Sequence, residues 1–476
     1  MVIGGLAKVS PQPGTPPKAA PTNAFKASPV SFMSGSYTLQ IESVDYEARG
    51  VAHIDGKVIF VDGALPGETV LASPYRKKSK FENAQLIKLF APSSARVTPL
   101  CRHYSTCGGC SMQHADVRTQ VAIKQRVLED NLRFIGKVVP ETMLRAIHGP
   151  SWGYRYRARL SVRHVPSKGG VLIGFHEKKS SYVVDMRDCP ILPLRIAALL
   201  LPLRELVAGL SIKERLPQFE LAIGSHVDVL VARILAPLTT DDEELVKRFA
   251  EAHQVQFWLQ PDGPSTAYPF WPPASACAPL SYELPEFNVT MPFKPTDFTQ
   301  VNHQINEVLV SRALRLLGVQ PHERVGDFFC GLGNFTLPLA RQAREVVGVE
   351  GSAPLVARAR DNAAHNGLAA NTSFHTANLF EATPESLAQL GRFERILIDP
   401  PRDGALYLLK AIGALGQADA SWRPKRIVYV SCSPSTLARD AGLLHHEYGY
   451  TLKSAGIVNM FPHTSHVESI AVFEPQ

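Results

Sequence analysis

The chain has 476 residues, of which 45% are apolar and 20% are charged, a composition that excludes a wholly disordered or fibrous protein. Lysine and arginine total 50 against 43 aspartate and glutamate, so the formal net charge of +7 favours a polyanionic partner such as nucleic acid without establishing one. The sequence contains no apolar run of about 18 residues and no secretion signal, so we expect a cytoplasmic protein without membrane contact.

The first two regions differ sharply in composition. Residues 1–33 are rich in proline, serine and alanine, and we expect them to form a disordered leader. Residues 34–96 contain five short apolar stretches separated by turns, which is typical of a small β-barrel. The stretches are Tyr37–Ile41, Gly50–His53, Lys57–Val61, Glu68–Ala72 and Ala84–Leu89. The basic loop Arg76–Lys80, followed by Phe81, suits RNA binding, and a solvated hairpin tip is the alternative.

Residues 97–290 mix two kinds of pattern and are predicted to form a central α+β domain. Arg157–Val165 has the composition of a strand and Val117–Phe134 that of a helix. Pro261–Pro285 is dense in proline and serine, which predicts a linker or long loop. Tyr154–Arg159 alternates aromatic and cationic side chains, which suits RNA stacking, although an exposed strand face is equally consistent.

Four of the seven cysteines form a patterned set in this central region. Cys101, Cys107 and Cys110 give the spacing C-x5-C-G-G-C, and Cys189, followed by proline, is a distant fourth. Four thiolates can bind one zinc ion or a [4Fe–4S] cluster. A zinc ribbon has a second C-x2-C pair, which this chain lacks, so the spacing favours the cluster.

Residues 291–476 alternate helices and buried strands as a parallel α/β sheet does. The strand Arg324–Phe329 leads into the glycine turn Gly331–Gly333, and the next strand ends on Glu350. A carboxylate at that position can accept hydrogen bonds from both ribose hydroxyls of an adenosine cofactor. The turn lacks the third glycine that lets a pyrophosphate approach, which argues against a dinucleotide. We therefore expect S-adenosylmethionine.

Polar residues also follow the later strands of this sheet. Asn378, Asp399 and Cys432 each lie just past a predicted strand, at the edge where parallel sheets collect their ligands. The closing stretches Thr451–Asn459 and Ser469–Phe473 fit a terminal hairpin. Together these features predict a class I, Rossmann-like α/β methyltransferase domain.

Five ordered motifs in this region resemble the RNA uracil-C5 methyltransferases. They are Phe298–Asn302, Asp327–Phe335, Asp399–Arg402, Val430–Pro434 and Phe461–Glu468. The resemblance implies that Cys432 is a nucleophile and that Glu468 is a general base. It further implies a set of adenosylmethionine contacts, namely Gln300, Phe329, Asn334, Glu350, Asn378 and Asp399.

The chemistry of uracil explains these residue types. C5 is too weak a nucleophile to attack a sulfonium methyl, but thiolate addition at C6 turns C5 into an enolate carbon that can. Removal of the C5 proton by Glu468 then releases Cys432. Without its motif, Cys432 would be an ordinary buried cysteine. The spacing of His463, His466 and Glu468 also allows a metal site, but no further ligand accompanies them, so substrate and base positioning is favoured.

The remaining expectations also rest on the resemblance. Gly50–His53 and Leu65–Glu68 resemble the TRAM domain, and the branch of the family with a [4Fe–4S] cluster has cysteines spaced as they are here. Four cysteines saturate the cluster, so we expect it to be structural. The combination of parts predicts a monomer that methylates a specific uridine in 23S ribosomal RNA. Alternatives are a dual-site ribosomal enzyme, a transfer-RNA enzyme, or an N-methyltransferase, since Asp399–Pro401 resembles the target-nitrogen turn of that class.

Overall fold

The structure, a computed structural model, describes residues 35–476, so the leader predicted at residues 1–33 lies outside the described part. Three large sheets follow one another along the chain, namely a barrel, a mixed central sheet and an α/β sheet, and a two-stranded sheet lies between the last two in sequence. Within residues 35–476, no helix is both long and apolar enough to cross a bilayer.

The N-terminal barrel closes because its first segment bends. Its strands are β1 (Tyr37–Gln40), β2 (Ser43–Val44), β3 (Arg49–Ile54), β4 (Lys57–Asp62), β5 (Thr69–Lys77) and β6 (Phe81–Ala91). β1 pairs with β5 and β2 pairs with β3, so the two halves of one bent segment join opposite edges of the sheet. Alternating side chains such as Val70 and Ala72 fill the interior. All five predicted strands form, and the short β2 is additional.

A buried ion pair ties the barrel to the chain that leaves it. The Glu68 side chain is fully buried and receives Arg96 Nε at 2.5 Å and Nη2 at 2.7 Å. The backbone N–H groups of Leu65 and Ser93 also donate to it. Burial disfavours the carboxylate, but these donors outweigh it and lower the pKa of Glu68.

The segment after the barrel belongs with the C-terminal sheet. It comprises α1 (Val117–Asn131), a π-helical turn (Leu132–Gly136) and β7 (Thr142–Met143). Asp116 caps α1 by accepting from the N–H groups of Arg118 and Thr119. β7 pairs with a strand of the C-terminal sheet, and Leu128 joins the core there. The prediction of a single central unit over residues 97–290 is wrong at this segment, because α1 buries its inner face against the other sheet.

The central sheet has six strands. They are β8 (Arg157–Val165), β9 (Gly170–Gly174), β10 (Gln218–Ile223), β11 (Asp228–Arg233), β12 (Gln256–Gln260) and β13 (Tyr268–Trp271). The helices α2 (Leu194–Ala197), α3 (Leu200–Gly209) and α4 (Thr240–His253) accompany it, and Leu203 and Phe249 from α3 and α4 join its core. The prediction of a linker at Pro261–Pro285 is wrong, because β13 in that stretch pairs with β12.

The C-terminal sheet confirms the predicted α/β class. A hairpin, β14 (Ser281–Leu284) and β15 (Val289–Pro292), precedes it. The later elements are α5 (His303–Leu317), β16 (Arg324–Phe328), α6 (Thr336–Ala340), β17 (Glu345–Glu350), α7 (Ala353–His365), β18 (Thr372–Thr376), α8 (Pro384–Ala388), β19 (Arg395–Ile398), α9 (Leu406–Ala418), β20 (Arg426–Ser431), α10 (Pro434–His446), β21 (Tyr450–Val458) and β22 (Glu468–Pro475). The strand order is β18-β17-β16-β19-β20-β22-β21-β7, with β16 to β20 parallel and β22 antiparallel to β20.

The ion pair predicts a local stability change. Arg96→Met leaves the buried Glu68 carboxylate uncompensated, so the opening free energy of the barrel strands should fall by about 3 kcal/mol at pH 7. Because the folded pKa of Glu68 is lowered, the contribution is present above its unfolded pKa of about 4.3 and is lost as pH falls through the folded pKa. Amide hydrogen exchange in β4 and β5 measures this quantity.

The control is Arg126→Met, which removes an arginine from an exposed pair with Asp130 on α1 and should leave the opening free energy of the barrel strands unchanged. Equal barrel exchange in the Arg96 variant and the wild type would contradict the assigned role of the pair.

Candidate active site

Strand register brings Cys432 and Glu468 to the same end of two paired strands. β20 and β22 run antiparallel with Ser431 opposite Ser469. Cys432 follows Ser431 directly and Glu468 directly precedes Ser469, so both residues lie just beyond the last pair of β20 with β22, at the same end of the two strands. Both side chains line the same cavity.

This cavity has a volume of about 560 Å³ and lies at the carboxyl ends of the parallel strands. Its size is in the range of small-molecule and cofactor sites. All eight residues predicted for catalysis and cofactor binding line it: Gln300, Phe329, Asn334, Glu350, Asn378, Asp399, Cys432 and Glu468. The structure therefore brings the two predicted sets together in one space.

The glycine turn after β16 forms one wall of the cavity. Phe329 has φ of 63°, in the left-handed region that a bulky residue rarely adopts, and Gly331 and Gly333 also have positive φ. Glu350 accepts hydrogen bonds from Gly331 N at 3.2 Å and from Ser352 N at 2.9 Å. These two donors hold its carboxylate at the cavity edge.

Asn334 is held mainly by protein partners. Its Oδ1 accepts from Tyr282 Oη at 2.8 Å and from Asn306 Nδ2 at 2.9 Å, and its Nδ2 donates to Asn306 Oδ1 at 3.0 Å. Asn334 thus fixes the wall of the cavity and retains one free N–H. Tyr282 comes from β14, inside the stretch predicted to be a linker.

The electrostatics of the cavity favour protonated acids. Burial raises the pKa of Asp399 to about 7, and burial together with Asp399 raises that of Glu468 to about 8. The pKa of the Cys432 thiol rises to about 12, through burial first and then through Glu468 and Asp399. Arg402 opposes the rise at both Glu468 and Cys432. Cys432 therefore rests as a thiol near neutral pH.

The two histidines of the last motif have different surroundings. His466 lines the cavity. His463 is buried outside it, stacked on Trp152 with ring centroids 3.8 Å apart, and has a positive φ of 65°. Its Nδ1 lies 3.1 Å from Gln120 Nε2. His463, His466 and Glu468 therefore do not share one space, since His463 packs against Trp152 outside the cavity that the other two line.

Three residues that bear on the site lie outside the predicted set. Arg402 is the last residue of the motif Asp399–Arg402, so the sequence could have predicted a cation near the Cys432 thiol. Tyr282 and Lys124 had no such signal, since they reach the region through packing of distant segments. Lys124 lies in the buried stripe of α1 together with Gln120 and Leu128. Because two of these three side chains are polar, the apolar periodicity of the sequence does not mark this stripe as buried and would place Lys124 in solvent.

The four patterned cysteines lie together, apart from the cavity. Cys101, Cys107, Cys110 and Cys189 line one small pocket, which Phe175 and other side chains complete. Burial raises the pKa of Cys110 to about 11 and that of Cys189 to about 12. The fold thus brings Cys189 next to the three cysteines from which it is distant in sequence.

A second, open groove lies between the barrel and the central domain. It has a volume of about 1300 Å³ and includes Arg76 of the basic loop. Lys178 lies over the ring of Tyr104 at 4.1 Å and Lys179 over that of Tyr75 at 4.2 Å.

The predicted aromatic surface at Tyr154–Arg159 is wrong for Tyr154, which is 2% exposed and donates to Pro462 O, so it offers no face to RNA bases. Tyr156 is half-buried and has one face stacked on His303, with ring centroids 4.5 Å apart.

Comparisons with known proteins agree with these features. The family described as tRNA (Uracil-5-)-methyltransferase matches residues 287–475, and the TRAM domain matches residues 36–72. A solved structure, the Pyrococcus abyssi tRNA (uracil-54, C5)-methyltransferase in complex with S-adenosyl-L-homocysteine, covers 92% of this chain and 100% of its own. Its TM-score is 0.69 at 23% identity, so the likeness shows the shared fold.

Relatives match over nearly the whole length. The 23S rRNA (uracil(1939)-C(5))-methyltransferase RlmD of Cupriavidus metallidurans is 60% identical over 98% of this chain and 99% of its own. That of Cupriavidus necator is 62% identical over 92% and 100%, and that of Burkholderia pseudomallei K96243 is 60% identical over 96% and 99%. At this identity and coverage, the chain belongs to the RNA (uracil-C5)-methyltransferase family, within the group of these RlmD proteins.

Proposed function

We propose that this chain transfers a methyl group from S-adenosylmethionine to C5 of a single uridine in 23S ribosomal RNA, the uridine at position 1939 that its relatives' name specifies. The observation that carries the proposal is that Cys432 and Glu468 lie at the same end of the paired strands β20 and β22, in one cavity with the cofactor residues. A nucleophile and a base on facing strands can reach C6 and C5, which are adjacent atoms of one ring.

The cofactor residues fit adenosylmethionine. Glu350 is held by two backbone donors at the cavity edge, where its carboxylate can accept from the ribose hydroxyls. Phe329 and Asn378 line the same wall. Adenosylmethionine supplies an electrophilic methyl group on a positively charged sulfonium. That charge is compatible with a cavity in which Glu350, Asp399 and Glu468 supply three carboxyl groups.

The proton on Cys432 is the first obstacle to the reaction. Because the pKa of the resting thiol is about 12, the Sγ–H bond has to break as the Sγ–C6 bond forms, and the proton passes to a carboxylate of the cavity such as Asp399. Arg402 is the cation that favours the thiolate. The electron pair of the C5–C6 double bond then forms the bond from C5 to the methyl group, as the bond from that methyl to the sulfonium sulfur breaks.

Glu468 completes the cycle. As a carboxylate it removes the C5 proton, the C5–C6 double bond re-forms, the Sγ–C6 bond breaks and Cys432 is released. A base whose pKa is raised towards 8 takes up a proton more readily than an ordinary glutamate does, at the cost of a smaller ionised fraction at neutral pH.

The cysteine pocket supports a structural [4Fe–4S] cluster. Four cysteines line one pocket, and three of them are buried. Burial raises the pKa of all four thiols, so a positively charged group at the pocket would be needed to hold them as thiolates. The chain has one C-x2-C pair and lacks the second pair of a zinc ribbon, a spacing that favours the cluster over zinc.

The groove between barrel and central domain supports RNA as the substrate. Lysines above tyrosine rings provide cations for phosphates beside flat apolar faces. The target uridine has to leave its stack to reach Cys432, at a cost of a few kcal/mol, and phosphate contacts in this groove offset that cost.

The same residues argue against the other reactions considered. An N-methyltransferase has no use for a thiol facing a carboxylate, although Asp399–Pro401 resembles its target-nitrogen turn. Action on a second ribosomal uridine or on transfer RNA uses the same chemistry, and the relatives' names favour the single ribosomal position.

The covalent step predicts a trapped complex. RNA carrying 5-fluorouridine cannot lose its C5 substituent as a proton, so incubation with adenosylmethionine should give an adduct that survives denaturation. Cys432→Ala should abolish the adduct, while Cys277→Ala, which alters a cysteine outside the cavity, should retain it. Denaturing gels and mass spectrometry measure the adduct. Methyl on an exocyclic nitrogen without an adduct would contradict the mechanism.

The base predicts a different defect with ordinary RNA. Glu468→Gln permits Cys432 addition and methyl transfer but blocks proton removal, so the methylated adduct should accumulate and product formation should fall by about 100-fold or more. Wild-type product release should rise with pH through about 8, because only the carboxylate is active. Glu474→Gln, at the far end of β22, should behave as the wild type. Free product at the normal rate from Glu468→Gln would exclude Glu468 as the base.

The cluster predicts a metal content. Protein purified without oxygen should contain about four iron and four sulfide per chain. Cys110→Ala and Cys189→Ala should lose both, whereas Cys277→Ala should keep them. About one zinc per chain, bound through the same cysteines, would overturn the assignment.

A further inference from the structure

Lys124 is a buried cation with no carboxylate bound to it. Its side chain lies on α1, in the stripe that faces the C-terminal sheet, and the residue is 1% exposed. The ammonium donates to Asn459 Oδ1 at 2.8 Å and to Phe461 O at 2.8 Å. Both acceptors are neutral, so they satisfy the N–H groups without balancing the charge.

The acceptors belong to the segment that leads to the base. Residues 459–467 connect β21 to β22, and Glu468 is the first residue of β22. One turn earlier on α1, Gln120 Oε1 accepts from His463 N at 2.8 Å. From the other side, Ser111 and Met112 donate their N–H groups to His463 O, each at 2.9 Å. This segment is therefore held by residues far away in sequence, and Lys124 supplies the charged contact.

A buried lysine of this kind is costly. Removing an ammonium from water without pairing it to a carboxylate is unfavourable, and an apolar side chain of similar length would satisfy the packing at lower cost. Burial lowers the pKa of Lys124, while the charge of Glu468 raises it, so the ammonium and the carboxylate favour each other's ionised forms. Residues that reduce stability without a packing benefit are expected at functional sites.

Lys124 differs from the other charged groups around Glu468 because it is a buried cation. The groups that influence Glu468 are Asp399, which opposes its ionisation, and Lys124 and Arg402, which favour it. Cys432 lines the same cavity as Glu468 and is a neutral thiol near pH 7. Burial lowers the pKa values of the two histidines, His463 and His466. Arg402 is exposed at the cavity edge, so Lys124 is the buried cation behind the base.

We propose that Lys124 is a positioning residue for removal of the C5 proton: its ammonium holds the segment that ends at Glu468 and favours the ionised form of that carboxylate. Lys124 acts through Glu468 and does not touch the substrate. The inference rests on the proposed function, in which Glu468 takes the C5 proton as the Sγ–C6 bond breaks.

The test separates adduct formation from adduct breakdown. In Lys124→Met, addition of Cys432 and methyl transfer should proceed, so the adduct with 5-fluorouridine RNA should form at the wild-type rate. Breakdown of the adduct with ordinary RNA should be about tenfold slower at pH 7, and the methylated adduct should accumulate. The pH at which release is half-maximal should rise by about one unit, which corresponds to a tenfold change in the ionised fraction.

Two further variants keep the inference falsifiable. Lys124→Gln keeps a hydrogen-bond donor and lacks the charge, so it should show the same rise in the release midpoint. Arg126→Met, on the exposed face of α1, should leave every rate unchanged. An unshifted release midpoint in both Lys124 variants would overturn the inference, as would failure of both to form the fluorinated adduct, since the lysine would then serve folding or an earlier step. Absence of that adduct from the wild type would instead refute the proposed function.

Discussion

The antiparallel pairing of β20 with β22 is the constraint on which the active site depends. With Ser431 opposite Ser469, the nucleophile and the base become neighbours across the end of the sheet, and Ser469 Oγ also donates to Ser431 O at 3.4 Å. A slip of one residue would turn every side chain of β22 to the other face and remove Glu468 from the cavity. The glycine turn follows β16, which is parallel to β20. The cofactor residues of that turn therefore lie at the same edge of the sheet as Cys432.

This arrangement lowers the stability of the fold because it buries several ionisable side chains in one cavity. Burial raises the pKa of Asp399, and burial together with Asp399 raises that of Glu468. Burial first, and then Glu468 and Asp399, raise the pKa of the Cys432 thiol. The connection from β21 to β22 is held from outside the sheet by α1 and by the backbone that follows Cys110. The chain around the cysteine pocket and the chain around the base are thus in direct contact, at His463.

The sequence predicted the parts of the site that depend on local order. Glu350, Asn378 and Asp399 follow strands, and strand ends of a parallel sheet meet at one edge, so their convergence follows from topology. Contacts between distant segments left no comparable signal. Tyr282 lies in a proline-rich stretch that was interpreted as a linker, and Lys124 lies at a helix position that resembles a solvent-facing one. The burial of Tyr154 depends on Pro462, far along the chain, so its alternating pattern was misleading.

The central claim, that methyl transfer to C5 is coupled to loss of the C5 hydrogen through a Cys432 adduct, can be tested with 23S ribosomal RNA whose uridines carry tritium at C5. Tritium released to water and methyl groups incorporated from adenosylmethionine are counted in the same reaction. The account predicts one tritium released for each methyl gained, with neither event in Cys432→Ala. Methyl incorporation without tritium release would contradict it, because the methyl would then reside on an atom other than C5.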